Sequence, residues 1–327
     1  MKAKFSLTSV MFISTICYSQ VKDSTSVKTM AYIAEKFPIT RVLNIEYDHL
    51  TPYTFTSKLR EQEIPEAKVR DFYKARMSAN INLIKRPKWV LGTNLNYRYI
   101  SIKTDTKDPA ENIDFGSRED YHYHSESLNL TYFSKLFGKM MIYTGSVSAD
   151  GSERRFERLR GIATATMVLK ADARTKMTVG LLVAIDPTVQ TPVIPAFTYE
   201  HKFSHGLIAD VILPKSVYLR KKITENSRLS VGSELDVTSF YLYNIDPTNR
   251  KYEFRQIEIN SGLMYEHYLG NSFVATFKGG AKSMMRSRVF EKSASYGSYV
   301  FQAKPEAAFY VNVGLSFDPF IKKTAER

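Results

Sequence analysis

Apolar and polar residues alternate along this chain with a period of two, and the run from Glu306 to Phe317 shows the pattern most clearly. Phe309, Val311, Val313, Leu315 and Phe317 are apolar, while Ala308, Asn312, Gly314 and Ser316 are small or polar. Successive side chains of a strand point to opposite faces, so the run predicts a ribbon with one apolar and one polar face. A hairpin follows the same grammar. Tyr73, Ala75, Met77, Ala79, Ile81 and Leu83 alternate with Lys74, Arg76, Ser78, Asn80 and Asn82; beyond Lys85-Arg86-Pro87-Lys88, Leu91, Leu95, Tyr97 and Tyr99 alternate with Gly92, Asn94, Asn96 and Arg98. Trp89 and the pair Tyr97 and Tyr99 lie ~10 residues apart, the height of a membrane strand between two aromatic girdles.

Later strands are expected around short turns at 135–138, 172–174, 203–206, 225 and 269–271. Longer connections are expected at 49–70, 103–120, 150–157, 186–192, 244–250 and 288–302, the first for its prolines and mixed charge. Short and long connections that alternate along an antiparallel chain describe a barrel with tight periplasmic turns and longer outer loops. The expected fold is all-β, an antiparallel up-and-down transmembrane β-barrel of about 12–14 strands. The spread comes from Pro214, which either forms a tight outer turn or kinks one strand. The alternative arrangement of such ribbons is a soluble exported β-sandwich with the apolar faces turned inward.

A symmetric turn at Gly270 would place Glu258 opposite Lys282, Ile259 opposite Ala281, Leu263 opposite Phe277 and Tyr265 opposite Ala275. Both faces then stay chemically consistent, as a correct register demands.

The first residues change the picture of where the chain resides. Lys2 and Lys4 precede an apolar run from Phe5 to Cys17, the layout of a secretory signal peptide over residues 1–20. Residues 21–39 read as a periplasmic lead-in, 40–320 as the barrel and 321–327 as a C-terminal tail. Loss of residues 1–20 removes those two lysines and no acid, taking the formal charge from +13 to +11. It also removes the only cysteine, and with it any thiolate nucleophile or disulfide.

These features together resemble Gram-negative outer-membrane β-barrel proteins, in particular uncharacterised single-chain barrels whose short signal ends in Ser-Gln, here Ser19-Gln20. The resemblance implies an outer-membrane location and outer-membrane lipid and lipopolysaccharide as surroundings. It also implies delivery by the barrel assembly machinery, which reads an aromatic at the end of the last strand, here Phe317 or Phe320.

Candidate chemistry is sparse. The polar faces nominate a lumen lining of Arg76, Asn80, Asn94, Asn96, Arg98, Glu234, Asp236, Glu258, Lys278 and Lys282, with Arg76 and Arg98 opposite each other as a basic patch. Lumenal carboxylates beside Lys278, Lys282 and Arg286 read as a salt-bridged lining. His122 and His124 share a strand face, and no third ligand accompanies them, so no metal or other cofactor is expected. His124 and Ser125 are neighbours and so point to opposite faces, which disfavours a nucleophilic site and any catalytic assignment. The leading expectation is a channel or binding barrel for small, anionic solutes, followed by a structural or interaction barrel presenting loops 49–70 and 103–120, and then a lipid-modifying enzyme. Export and the lack of a recognition motif leave no role for nucleic acid.

Overall fold

The computed structural model describes residues 40–107, 114–186, 188–189, 191–245, 247 and 250–320. The signal peptide, the lead-in and the tail expected at 1–20, 21–39 and 321–327 lie outside the described residues. All regular structure among the described residues is strand. The strands are β1 (Leu43–Leu50), β2 (Tyr53–Leu59), β3 (Gln62–Lys85), β4 (Trp89–Lys107), β5 (Asp114–Leu136), β6 (Lys139–Gly151), β7 (Phe156–Ala171) and β8 (Thr175–Ile185). They continue as β9 (Val193–Lys202), β10 (Leu207–Leu213), β11 (Ser216–Thr224), β12 (Ser227–Tyr243), β13 (Lys251–Gly270), β14 (Phe273–Glu291), β15 (Tyr299–Pro305) and β16 (Ala308–Phe317).

Neighbours pair antiparallel in chain order from β3 to β14, and β16 then joins β14 to β1, which pairs back onto β3. The sheet therefore closes, with Leu43 opposite Phe317 at one end of the seam and Leu50 opposite Tyr310 at the other. β2 prolongs β1 beyond Pro52, and β15 runs into β16 across Glu306. Counted as continuations, these two leave fourteen staves, and the peptide at Pro214 is the tight outer turn between β10 and β11.

The outer surface is apolar. Leu95, Leu263, Phe277, Val313 and Leu315 are exposed at 40, 55, 48, 45 and 44%, which a soluble core would not permit. Ile257 and Ile259 face the same way and are half-buried. The inner surface holds Lys74, Glu258 and Lys282 at 0% exposure. An apolar exterior around a charged interior, on a sheet without an open end strand, is the membrane-spanning arrangement.

Three expectations need correction. Residues 49–70 and 103–120 are mostly strand, since β2 and β3 run through the first and β4 and β5 cover 103–107 and 114–120 of the second. The prolines and charges there suggested loops. Above the membrane, however, a strand's outer face meets water, and Tyr53, Ala67, Val69 and Phe72 bury the inner one. In the same way β14 and β15 take up most of 288–302. Finally, the hairpin is centred on Asn271, not Gly270, because Gly270, Asn271 and Ser272 all turn at positive φ. Tyr265 therefore faces Phe277, Asn260 faces Lys282 and Glu258 faces Met284, a slip of two that preserves which face each residue occupies.

The upper lumen is not empty. β12 keeps its pairing with β11 only up to Glu234, and beyond that level its edge crosses the barrel to β5. Phe240 stacks on Tyr121 at 3.9 Å and on Phe254 at 4.6 Å, and Tyr241 lies 6.5 Å from Tyr123. The upper parts of β12, β13 and β14 thus form a septum. On one side Leu50, Val69, Phe72, Ile100, Phe240 and Met284 build an apolar core, and on the other Arg160 and its acidic partners fill the space.

Glu258→Ala would leave Lys74 and Lys282 buried without their shared carboxylate. Breaking a buried pair from one side costs about 3–5 kcal/mol. Urea unfolding in lipid vesicles should show a loss of that size, well above that of Leu263→Ala on the outer face.

Candidate lumenal site

The lumen wall is divided by chemistry. From β5 to β9 the inward positions within the apolar belt include Ser127, Asn129, Thr144, Ser146, Ile162, Thr164, Thr178 and Leu182, all uncharged. This half stays open to solvent, since Ile162 faces inward and is still 43% exposed. The opposite half, β10 to β14 with β16, β1 and β3, carries the charges.

A row without bulk crosses the charged half. Gly232, Gly262 and Gly280 face one another on β12, β13 and β14, and Tyr218 and Tyr310 end the row on β11 and β16. A Cβ at Gly232 would come 2.7 Å from the Tyr218 ring, so the ring needs glycine beneath it. With no side chain between them on the lumenal face, the three strands can fold inward just below the level where β12 leaves β11.

Above that row the charges pair across the barrel. Lys74 on β3 donates to Asp236, Thr238 and Glu258 at 3.2, 3.0 and 3.1 Å, and Lys282 lies 2.6 Å from the other oxygen of Glu258. The Glu258–Lys282 ion pair is thus present as a diagonal contact, although the two residues are not directly opposed. Arg76 reaches Glu46 at 2.7 Å, Asp236 at 2.8 Å and Asp48 at 3.2 Å. Lys278 and the Tyr218 hydroxyl both bind Glu234, at 2.9 and 3.1 Å.

Arg76 and Arg98 are indeed register partners. They do not form a basic patch, because Arg76 is surrounded by carboxylates and Arg98 donates to the Val237 carbonyl at 2.7 Å and lies over the Tyr123 ring. Asn96 donates to Asn94, Asn94 to Asn80, and Asn80 to the Arg41 carbonyl, an amide ladder across two strands. Arg286 falls outside this group: the irregularity at Ile257 turns it to the outer face, where it is exposed.

Below lies a cavity of ≈ 330 Å³. Arg41, Arg76, Lys215, Arg220, Arg228 and Lys278 line it against the carboxylates of Glu46, Glu234, Asp236 and Glu266, with Asp48 and Asp210 behind Arg76 and Arg220. Glu266 is shared by Arg41 and Arg228, and Arg220 pairs with Asp210 at 2.7 Å. The Nε atoms of Arg41, Arg76 and Arg220 find no acceptor among the described residues. A buried guanidinium donor without a partner is costly, and a hydrogen-bond acceptor entering the cavity would offset that cost.

Alternation alone could have found Lys74, which shares the polar face of Arg76. Arg41 and Glu266, 225 residues apart, meet only through closure of the barrel. His122 bonds Tyr97 at 2.7 Å and His124 packs edge-on against Phe156, both on the outer face, while Ser125 faces inward. The histidine and the serine therefore do not converge.

At the outer end, beyond the apolar belt, Glu157 is buried among Lys292 at 2.7 Å, Lys251 at 3.3 Å, Arg155 at 2.9 Å and the Tyr243 hydroxyl at 3.1 Å. Burial pushes the Glu157 carboxyl up, but the hydrogen bonds and charge of Lys292, with help from Tyr243 and Lys251, outweigh it and hold the pKa below the ordinary value. Burial raises the Tyr243 hydroxyl to about 12. A depressed carboxylate contributes stability above its unfolded pKa, ~4.3, and loses it as pH falls through the lower folded value. Hydrogen-exchange protection factors of residues 288–302, taken relative to the unstructured peptide at each pH, should therefore fall as pH is lowered from 6 to 3, and Glu157→Gln should remove that step.

Among solved structures the chain is similar to an outer membrane channel from Pseudomonas putida F1, with 10% identity over 87% of this chain and 98% of that one and a TM-score of 0.36. It is also similar to the transport unit of the autotransporter AIDA-I from Escherichia coli, with 10% identity over 89% and 96% and a TM-score of 0.34. A FadL homologue from Pseudomonas aeruginosa shows 8% identity over 87% and 91% with a TM-score of 0.32. No curated protein matches the chain. A family model described as Domain of unknown function (DUF6268) matches residues 43–318.

Proposed function

We propose a solute-binding role in the outer membrane for this chain, which belongs to the DUF6268 family. The observation that carries the reading is the cavity of ≈ 330 Å³, set inside the apolar belt, with three guanidinium Nε donors on its lining that find no acceptor among the described residues. A small anion of the carboxylate or phosphate class would take those donors as charge-assisted hydrogen bonds. Arg76, Lys278 and Glu234 border the cavity directly, and Lys282, Glu258 and Asp236 hold its upper wall in place. The neutral wall of serine, threonine and asparagine offers a wetted path beside them.

The septum argues for a gated or binding barrel rather than an open pore. Stacked aromatics across the upper lumen leave little free cross-section there. Outer-membrane lipid and lipopolysaccharide would surround the apolar belt, and the assembly machinery would receive the last strand with Phe317. Placement of His124 and Ser125 on opposite faces gives no support to an enzymatic role.

Inorganic phosphate should stabilise the folded barrel against unfolding by about 2.7 kcal/mol at a hundred times its Kd, a gain that keeps growing with the logarithm of its concentration. Arg220→Gln should weaken the effect at least fivefold. In planar bilayers the wild type should conduct weakly, and Tyr121→Ala with Phe240→Ala should raise its conductance several-fold. A wild type that conducts as freely as that double variant and ignores phosphate would overturn the reading.

A further inference from the structure

The barrel wall is too low at one place. β10 and β11 have seven and nine residues, so on strands tilted ~45° they rise ~16–21 Å, against an apolar band of ~25 Å. The β9–β10 ladder ends at Phe197 opposite Leu213, and the β11–β12 ladder at Ser216 opposite Glu234. Above that sill, among the described residues, neither the β9 edge at 193–196 nor the β12 edge at 236–243 has a strand partner on the side of the seam. The sill lies in hydrocarbon. Following the register from Phe197 to Val179 on β8, the outer face continues upward through Leu181, Val183 and Ile185, exposed at 51, 37 and 65%.

We propose that this seam is a lateral portal through which a single-chain amphiphile with an anionic headgroup passes between the bilayer and the lumenal cavity. The inference rests on the anion-binding reading above and adds the class of ligand and its route. The rim is apolar: Leu213, Val193 and Val237 are exposed at 44, 49 and 36%. Part of its free backbone is accounted for without a strand partner. Pro195 has no N–H to offer the seam, the Val237 N–H donates to the Asp236 carboxylate at 2.9 Å, and the Val237 carbonyl accepts from Arg98 at 2.7 Å. Such satisfaction is what an edge in hydrocarbon requires.

The cavity reaches this sill, because Ile212, Lys215, Ser216 and Leu235 line both. Lys215 at the hairpin tip is exposed, and no acid lies within salt-bridge distance of it among the described residues. An anionic headgroup crossing the sill would meet Lys215 first and the free Nε of Arg220 next. Inward Ile162, Leu182 and Ile194 offer the alkyl chain an apolar surface within the otherwise polar lumen.

The test uses the full barrel in vesicles with dansyl-undecanoic acid as the anionic probe, dansyl-undecanol as its neutral counterpart and inorganic phosphate as the free anion. Val193→Cys and Val237→Cys together, labelled with a bulky reducible methanethiosulfonate, should slow uptake of the anionic probe at least tenfold, and reduction should restore it. The same label on Val147→Cys, across the barrel, should have no effect. Lys215→Ala should weaken the anionic probe five- to tenfold and leave the neutral one unchanged. Uptake unaffected by the rim labels, or equal for both probes, overturns the portal. If phosphate stabilises the barrel while the anionic probe does not bind, the portal fails and the anion site stands; if neither binds, both fail.

Discussion

Hydrocarbon offers no hydrogen bonds, and that single constraint organises the molecule. A sheet placed in it must close, and here closure is the ladder between β1 and β16, the first and last staves, eight pairs long from Leu43–Phe317 to Leu50–Tyr310. Once the sheet is closed, the period of two in the sequence divides every strand between two solvents. Val313 and Leu315 meet lipid, and Asn312 and Ser316, their neighbours, meet the interior at 1 and 5% exposure. In this barrel apolar groups inside are the exception, gathered in the upper core and at a few positions such as Ile162 and Leu182 on the neutral wall.

How much of this could be read beforehand depended on whether the information was local. Alternation is local, so the strands, their faces and the tight turns were legible, down to Arg76 opposite Arg98. Register at the Gly270 turn was not, because three consecutive residues adopt positive φ and move the centre to Asn271. The Glu258–Lys282 contact tolerated that slip, since a lysine side chain spans the offset and parity keeps it on the same face. The long outer strands were misread as loops for a physical reason: above the membrane the two-solvent rule relaxes. Charged Lys58 and Glu63 there pair with each other on the wet side while Tyr53 and Val69 pack inside. The septum was invisible, because nothing in the alternation of β12 says that its upper edge abandons the wall.

The interior charges act as long ties. Lys74 connects β3 to β12 and β13, Arg76 connects β3 to β1 and β12, and Arg160 connects β7 to β6, to Asp186 just past β8, and to β13. Taking such groups out of water is expensive, and the cost is offset only where partners are complete. That requirement makes each tie specific. A lysine at position 74 tolerates no arrangement of the opposite wall that moves Asp236 and Glu258 away. The inward fold of β12 to β14 and the charge pattern therefore select each other, and the neutral wall, free of such ties within the apolar belt, is the half that stays wet.

The low wall and the crossed lumen have one origin. Two short strands, β10 and β11, leave the upper half of β12 paired on the β13 side alone, and an unpaired edge is a liability both in lipid and in water. Residues at 237, 239, 241 and 243 would present their backbone to the missing partner, as Leu235 still does in donating to Lys215. The only polar groups within reach are inside. The edge accordingly turns inward past the glycine row, takes the guanidinium of Arg98 at Val237, and presses Phe240 and Tyr241 onto β5. Lengthening β10 and β11 would supply the missing ladder and release the septum, so the opening at the side and the obstruction at the top are held in place by the same two strands.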